Sequence, residues 1–371
     1  MTPPAPRHVL LTTDAVGGVW TYAVDLASAL AETGTTVTLA VLGPPPAPAQ
    51  RDAAMAVKGL NLVETDLPLD WIEDDPERLA AAGRSLAALA AASGADLVHL
   101  NSPALAAGVR FPTPVVGGCH SCLASWWSAV KGDQPMPDGF RWRTRLLTRG
   151  YAACDRLIAP SHAFTQATRA LYGAAPETVY NGRAAPAPPT TARREPMVLT
   201  SGRLWDEGKN LRTLDRAAGR MRHPVRAAGS LAGPDGALAP PDHLVWLGQL
   251  DAAALRGELD RAAVFASLSL YEPFGLGVLE AAQAGCALVL SDIPTFRELW
   301  QGAAVFVPAD DEATVARVLD DFVDDPAAAA ALGAAAAARA ERFTVCAMVE
   351  GTLRVYAQAL AARAPLPEAA A

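Results

Sequence analysis

At 371 residues the chain is long enough for two domains of ordinary size, and with 51% apolar and 19% charged residues it is composed like folded cores rather than a disordered tail. A formal net charge of −8 argues against nucleic acid as a partner. No uninterrupted apolar stretch is long enough to span a bilayer, and the segment before the first strand lacks the apolar core of a signal peptide, so a cytoplasmic location is expected.

In chain order, apolar strands are predicted near residues 8–13, 35–42, 60–65, 96–101, 113–118, 155–160 and 177–181, each separated by an amphipathic stretch. The first helix, expected over Trp20–Glu32, places Trp20, Ala23, Val24, Ala27 and Leu30 on one face, with Gly34 as its stop. Arg183–Pro196 is so rich in proline that it reads as a linker. Strands resume near 196–201, 225–229, 244–248, 263–269, 287–291 and 303–307, and the Ala-rich stretch from Pro326 to about Arg363 is predicted helical, followed by a frayed tail. Strand alternating with helix in both halves predicts α/β architecture: two doubly wound parallel sheets, with ligands at the carboxyl ends of the strands in a cleft between the domains. The expected division is 1–183 for an N-terminal domain, 184–196 for the linker and 197–345 for a C-terminal domain. The remaining 346–371 is a helix returning towards the N-terminal domain and its tail.

The most informative segment is Tyr271-Glu-Pro-Phe-Gly-Leu-Gly-Val-Leu-Glu280, which follows the apolar strand Ala263–Leu270. Pro273 suits a first helical position, and Gly275 and Gly277 let backbone approach a ligand, where free N–H groups and the helix dipole attract an anion such as diphosphate. Helical rise puts the Glu272 and Glu280 carboxylates roughly 10–12 Å apart, about the span from the sugar of a nucleotide sugar to its ribose. Each carboxylate can accept hydrogen bonds from sugar hydroxyls. Upstream, Arg203 and Lys209 lie between a strand and a helix, where a guanidinium fork and an ammonium suit phosphate oxygens.

Other features are weaker. Asp14-Ala-Val-Gly-Gly18 has the position of a phosphate or sugar cradle but lacks the full dinucleotide glycine pattern, which disfavours an NAD-dependent oxidoreductase. His120 ends an apolar strand, and a histidine there serves either acid/base chemistry or packing; His99 reads as packing or as a support behind a site residue. Cys119-His-Ser-Cys122 has the spacing of half a zinc site without a second pair. The pairs Asp310-Asp311, Asp320-Asp321 and Asp324-Asp325 read as helix starts and solvated faces, and no metal is expected. Trp126-Trp127 and the basic run Arg141–Arg149 suit either an ordinary amphipathic helix or an anionic membrane surface.

These segments together resemble the retaining glycosyltransferases of the GT-B fold, specifically the family four (group 1) type. The likeness is carried by Asp96–Pro103, Val115–Ser121, Ala159–His162, Val179–Gly182, Leu199–Asn210 and, most specifically, 263–298. Two departures concern subfamily and substrate. Arg203 and Lys209 are six apart where five is usual, and Arg183 follows Asn181-Gly182 where an Asp is common.

The resemblance implies transfer of a hexosyl unit from a nucleoside diphosphate sugar, UDP-linked first and GDP-linked second, to a hydroxyl acceptor, without a metal ion or cofactor. The acceptor would be a sugar, a lipid-linked compound or a small molecule. His120 and Glu272 are then the catalytic candidates. Gly17, Gly18, Arg203, Lys209, Phe274, Gly275, Leu276, Gly277 and Glu280 are the donor-binding ones, with Glu272 near the donor sugar and Glu280 on the ribose. The rival readings are a sugar-nucleotide epimerase of the same fold and a non-catalytic sugar-nucleotide-binding protein.

Overall fold

Strands whose side chains are apolar on both faces need helices on both sides, and the chain supplies them. The computed structural model describes residues 5–184, 194–233 and 240–363. The first half runs β1 (His8–Asp14), α1 (Gly18–Glu32), β2 (Thr36–Leu42), α2 (Pro48–Met55), β3 (Leu60–Glu64), α3 (Pro76–Ser93), β4 (Leu97–Leu100), β5 (Val115–Gly118), α4 (Leu123–Lys131), α5 (Asp138–Ala153), β6 (Arg156–Ala159), α6 (His162–Tyr172) and β7 (Glu177–Thr178). The second half continues with β8 (Glu195–Ser201), α7 (Leu211–Ala218), β9 (Val225–Ala228), β10 (Val245–Trp246), α8 (Ala252–Arg261), β11 (Ala262–Ser267), α9 (Leu276–Gln283), β12 (Ala287–Ser291), α10 (Pro294–Trp300) and β13 (Val305–Val307). It closes with α11 (Glu312–Asp324), α12 (Pro326–Ala340) and α13 (Val345–Arg363).

Two units result. The first takes the chain up to Ser125, Gln134–Gly182 and the chain from Val345; the second takes Trp126–Asp133 and Arg183–Thr344. The first unit's parallel sheet has the order β3-β2-β1-β4-β5-β6-β7. Val9, Leu11, Leu39, Leu97 and Val116 of the strands pack with Leu26 and Leu30 of α1 and with Val355 and Tyr356 of α13. The second unit's parallel sheet has the order β10-β9-β8-β11-β12-β13, with Val198, Val264 and Val289 packed against Leu214 of α7 and Leu319 of α11. In both, strand order reverses beside the first strand of the unit, between β1 and β4 and between β8 and β11. That opens the crevice at which doubly wound sheets bind ligands.

Two boundaries differ from the sequence expectation. Trp126–Asp133, expected in the N-terminal domain, belongs to the second unit, because the Trp126 indole donates to Asp206 and Lys131 pairs with Glu207. The expected linker also ends early: Arg194 donates to the carbonyls of Leu259, Ala262 and Ala284, and Glu195 already opens β8. Residues 185–193 of that linker, and the tail from 364, lie outside the described residues. The Ala-rich stretch is helical in two pieces, α12 and α13, parted at residues 341–344.

Candidate active site

In the second unit the loops that leave the carboxyl ends of β8 and β11 are bonded to each other. The Gly208 carbonyl accepts from Leu270 N at 2.8 Å, and the Asn210 amide donates to the carbonyls of Leu268 at 3.2 Å and Ala309 at 2.7 Å. Asn210 holds φ 54°, a left-handed conformation that asparagine tolerates and that turns the loop into α7. The same loops bring Lys209 and Glu272 into a direct ion pair, with side chains only 20% and 14% exposed. In a pair so nearly withdrawn from water, each partner left alone would be a costly buried charge.

Arg203 stands six residues before Lys209 on the β8 loop, 37% exposed. Its guanidinium lies over the Trp205 ring, 5.6 Å from the centroid, and donates to Asp206 Oδ2 at 3.0 Å. Asp206 is the hub of this loop. Its other oxygen accepts from Gly208 N and from Trp126 Nε1, both at 2.9 Å, and the carboxylate is buried. Neither Trp126 nor Asp206 stood among the sequence candidates. Asp206 sits inside the loop segment that the resemblance rests on, whereas Trp126 stood out only with Trp127 as a helix face or membrane surface, and no local pattern marks its bond to Asp206, 80 residues away.

The turn into α9 departs from the expected geometry. The helix begins at Leu276, not at Pro273, because Gly275 takes φ 93° and serves as N-cap. The helical-rise argument for Glu272 and Glu280 therefore applies only from Leu276 onward. No side chain caps this helix start, so its first N–H groups remain for a ligand. Gly277 lies against the end of β8, where an added Cβ would come 3.2 Å from Ser201 Oγ. Leu276 and Gly277 are partly exposed at the same turn. The Phe274 ring is 3% exposed and packs edge-on against Phe343, so only its backbone is placed to meet a ligand. Glu280, one turn further along α9, pairs with Arg183 at 2.9 Å. The residue that departs from the family pattern thus sits on the carboxylate expected to read a ribose.

In the first unit, Gly17 and Gly18 form the start of α1, which also has no side-chain cap; Asp14 Oδ1 accepts from Val16 N at 2.8 Å and holds the loop. His120 follows β5, with its Nε2 at 2.8 Å from Asn101 Oδ1 and its ring 4.4 Å from that of Tyr22. Burial pushes its pKa down to about 4, so the imidazole is neutral at pH 7. His99 is fully buried and bonded to the Tyr356 hydroxyl at 2.7 Å, a packing role, as its sequence position suggested. Asp70, which no sequence pattern singled out, has its pKa raised to about 6 by burial, with Ser102 opposing and the nearby Asp14 charge adding.

Several of the remaining sequence features have structural partners. Asp311 and Asp325 cap α11 and α12, Asp320 accepts from Arg222 N, and Asp324 pairs with Arg222 and His223. Of the basic run on α5, Arg141 pairs with Asp138, and Arg143 is buried against Asp74 and the carbonyls of Ile72 and Glu73. Arg145 and Arg149 line a cavity of about 590 Å³ with Trp142 and Pro76. Among the described residues no helix is long and apolar enough to cross a membrane, and no three His, Cys, Asp or Glu side chains are grouped to hold a metal ion.

Residues 16–183 match Glycosyltransferase Family 4, and residues 189–339 match Glycosyl transferases group 1. A D-inositol 3-phosphate glycosyltransferase of Kineococcus radiotolerans is 29% identical over 300 residues, 69% of this chain and 68% of that protein. A phosphatidyl-myo-inositol mannosyltransferase of Mycolicibacterium smegmatis is 33% identical over 132 residues, which is 35% of this chain but only 32% of the relative's length. The solved structure of a sucrose-phosphate synthase from Thermosynechococcus elongatus superposes with a TM-score of 0.76 at 20% identity, covering 96% of this chain and all of that one, and shares its fold.

Proposed function

The chain belongs to the GT-B glycosyltransferases of the family four type, and from that premise we propose that it moves a hexosyl unit from a nucleoside diphosphate sugar to a hydroxyl acceptor with retention of anomeric configuration. The observation that carries this reading is the Lys209–Glu272 ion pair, set between the Arg203 loop and the uncapped start of α9 at the crevice of a doubly wound sheet.

In this reading the bond between the anomeric carbon and the diphosphate oxygen breaks as the acceptor oxygen bonds to the same face of that carbon. The acceptor proton passes to the departing diphosphate. Negative charge grows on the leaving group, and donors already aimed at it are the largest expected contribution to the rate. Arg203 forks onto phosphate oxygens, Lys209 adds a second positive charge, and the N–H groups from Leu276 onward add the helix-terminal field. These groups supply the neutralisation that a metal ion would otherwise give, so transfer is expected to persist in a chelator. Glu272 fixes Lys209 and accepts from the donor sugar's hydroxyls, Glu280 reads the ribose, and His120 meets a substrate hydroxyl.

UDP is the first nucleotide to test and GDP the second. The names of these two sequence relatives contain inositol compounds, which puts inositol phosphates and phosphatidylinositol on the acceptor panel. The test is a thermal-shift panel of UDP-, GDP- and ADP-sugars, then donor turnover with the best hit, with the anomeric configuration of the product read by NMR. Stabilisation by one nucleotide sugar and turnover of it are expected. A protein that no nucleotide sugar stabilises would overturn the reading, and binding without any turnover would favour a non-catalytic sugar-nucleotide-binding protein.

A further inference from the structure

The side chain of Asn101, just past the end of β4, is pinned from two directions. Its backbone N–H donates to Thr12 Oγ1 at 2.9 Å, and its side-chain nitrogen lies 2.7 Å from the Thr12 carbonyl oxygen. A carbonyl oxygen only accepts, so the amide nitrogen must face Thr12 and the amide oxygen must face the other way. That oxygen stands 2.8 Å from His120 Nε2. An amide oxygen also only accepts, so the proton of the imidazole must sit on Nε2.

We propose that Asn101 locks His120 in its Nε2–H tautomer, so that the ring meets a ligand as a hydrogen-bond acceptor through Nδ1 and selects a hydroxyl over a phosphate oxygen. The backbone is shaped for this bond: a Cβ on Gly118 would stand 2.7 Å from both Asn101 Oδ1 and His120 Nε2, so only glycine leaves the space clear. The Tyr22 ring holds the other side of the imidazole. Burial that disfavours the charged ring keeps the lone pair of Nδ1 available near neutral pH. Asn101 is in this account a positioning residue, three links from β1 to the ligand: Thr12, Asn101, His120. The role for the ligand rests on the proposed glycosyl transfer; the tautomer itself does not.

The test is a long-range proton–nitrogen NMR spectrum of histidine-labelled full chain at pH 7, with the His120 signals assigned by their loss in His120→Gln. A pyrrole-like Nε2 and a pyridine-like Nδ1 are expected. Asn101→Leu should give a mixture of both tautomers and reduce transfer roughly tenfold, the worth of one such hydrogen bond. A wild-type ring protonated on Nδ1, or an Asn101→Leu spectrum identical to wild type, would overturn the proposal. Should Asn101→Leu fail to fold, the wild-type spectrum alone decides. Absence of turnover alongside an Nε2–H ring would defeat the glycosyltransferase reading and uphold the lock; turnover alongside an Nδ1–H ring would do the reverse.

Discussion

The Lys209 ammonium is bonded to the Glu272 carboxylate, which joins the loop after β8 to the loop after β11 across 63 residues of sequence. A lysine held this way is aimed before any ligand arrives, and a carboxylate beside it is kept in one place. Lys209→Met, Glu272→Gln and the double variant should each lose roughly a hundredfold or more in kcat, the scale for removing one preorganised donor to developing charge. The double variant should lose little beyond the worse single one, since groups that act as a unit are not additive. Donor-turnover kinetics on the three variants check this, and additive losses would mean that the two residues act separately.

Much of the architecture is legible in the chain because strand and helix periods are local. The expected strands at 8–13, 60–65 and 287–291 coincide with β1, β3 and β12 within a residue. The displaced start of α9 has a local cause that periodicity does not expose: Pro273 fits a helix start, but the positive φ of Gly275 two residues later delays it. The partners of the site side chains were not legible at all. That Lys209 and Glu272 pair, that Arg183 sits on Glu280 and that Trp126 reaches Asp206 are consequences of tertiary packing between distant segments. Candidate residues were readable as chemistry, therefore, while their wiring was not.

Trp126→Phe removes one donor from Asp206 and keeps an aromatic side chain. A hydrogen bond to a carboxylate is worth about 1.5–3 kcal/mol, so urea unfolding should show a loss of that order. Asp206 also holds Arg203 and the Gly208 N–H, so the donor KM should rise severalfold with a smaller change in kcat. A variant with unchanged donor KM would restrict Trp126 to a structural role.

Burial of His99 and His120 makes acid stability predictable. Their pKa values fall from 6.5 to about 3 and about 4, so between those limits the unfolded chain binds protons that the folded chain refuses. Stability from these groups is full above pH 6.5 and is lost as pH falls towards 4 and below. Asp70 opposes this: its pKa is raised from 3.8 to about 6, so it favours the folded state at low pH and that contribution is lost as pH rises through 6. Near pH 5 the two histidines outweigh the one carboxyl, so their combined contribution to stability rises with pH there. Denaturation series at pH 4.5–6.5 should therefore flatten in His120→Gln and steepen in Asp70→Asn. An unchanged slope in His120→Gln would show that the ring is not kept neutral by the fold.

Gly275→Ala tests the turn that carries the site. The backbone there holds φ 93°, which costs a residue with a Cβ about 1–2 kcal/mol. The added methyl would also stand 3.2 Å from Phe296 Cε1 and 3.3 Å from Glu272 Cγ, so both the ring and the Glu272 side chain must give. Gly34→Ala is the control: it has the same strain, at φ 88°, with nothing within 4 Å of the new methyl. Both variants should lose comparable stability in chemical denaturation, but only Gly275→Ala should weaken nucleotide-sugar binding in a thermal-shift titration, because it alone moves Glu272 off Lys209. Equal donor affinity in the two variants would mean that the position of Glu272 does not matter to the donor, and the role given to that carboxylate would fall with it.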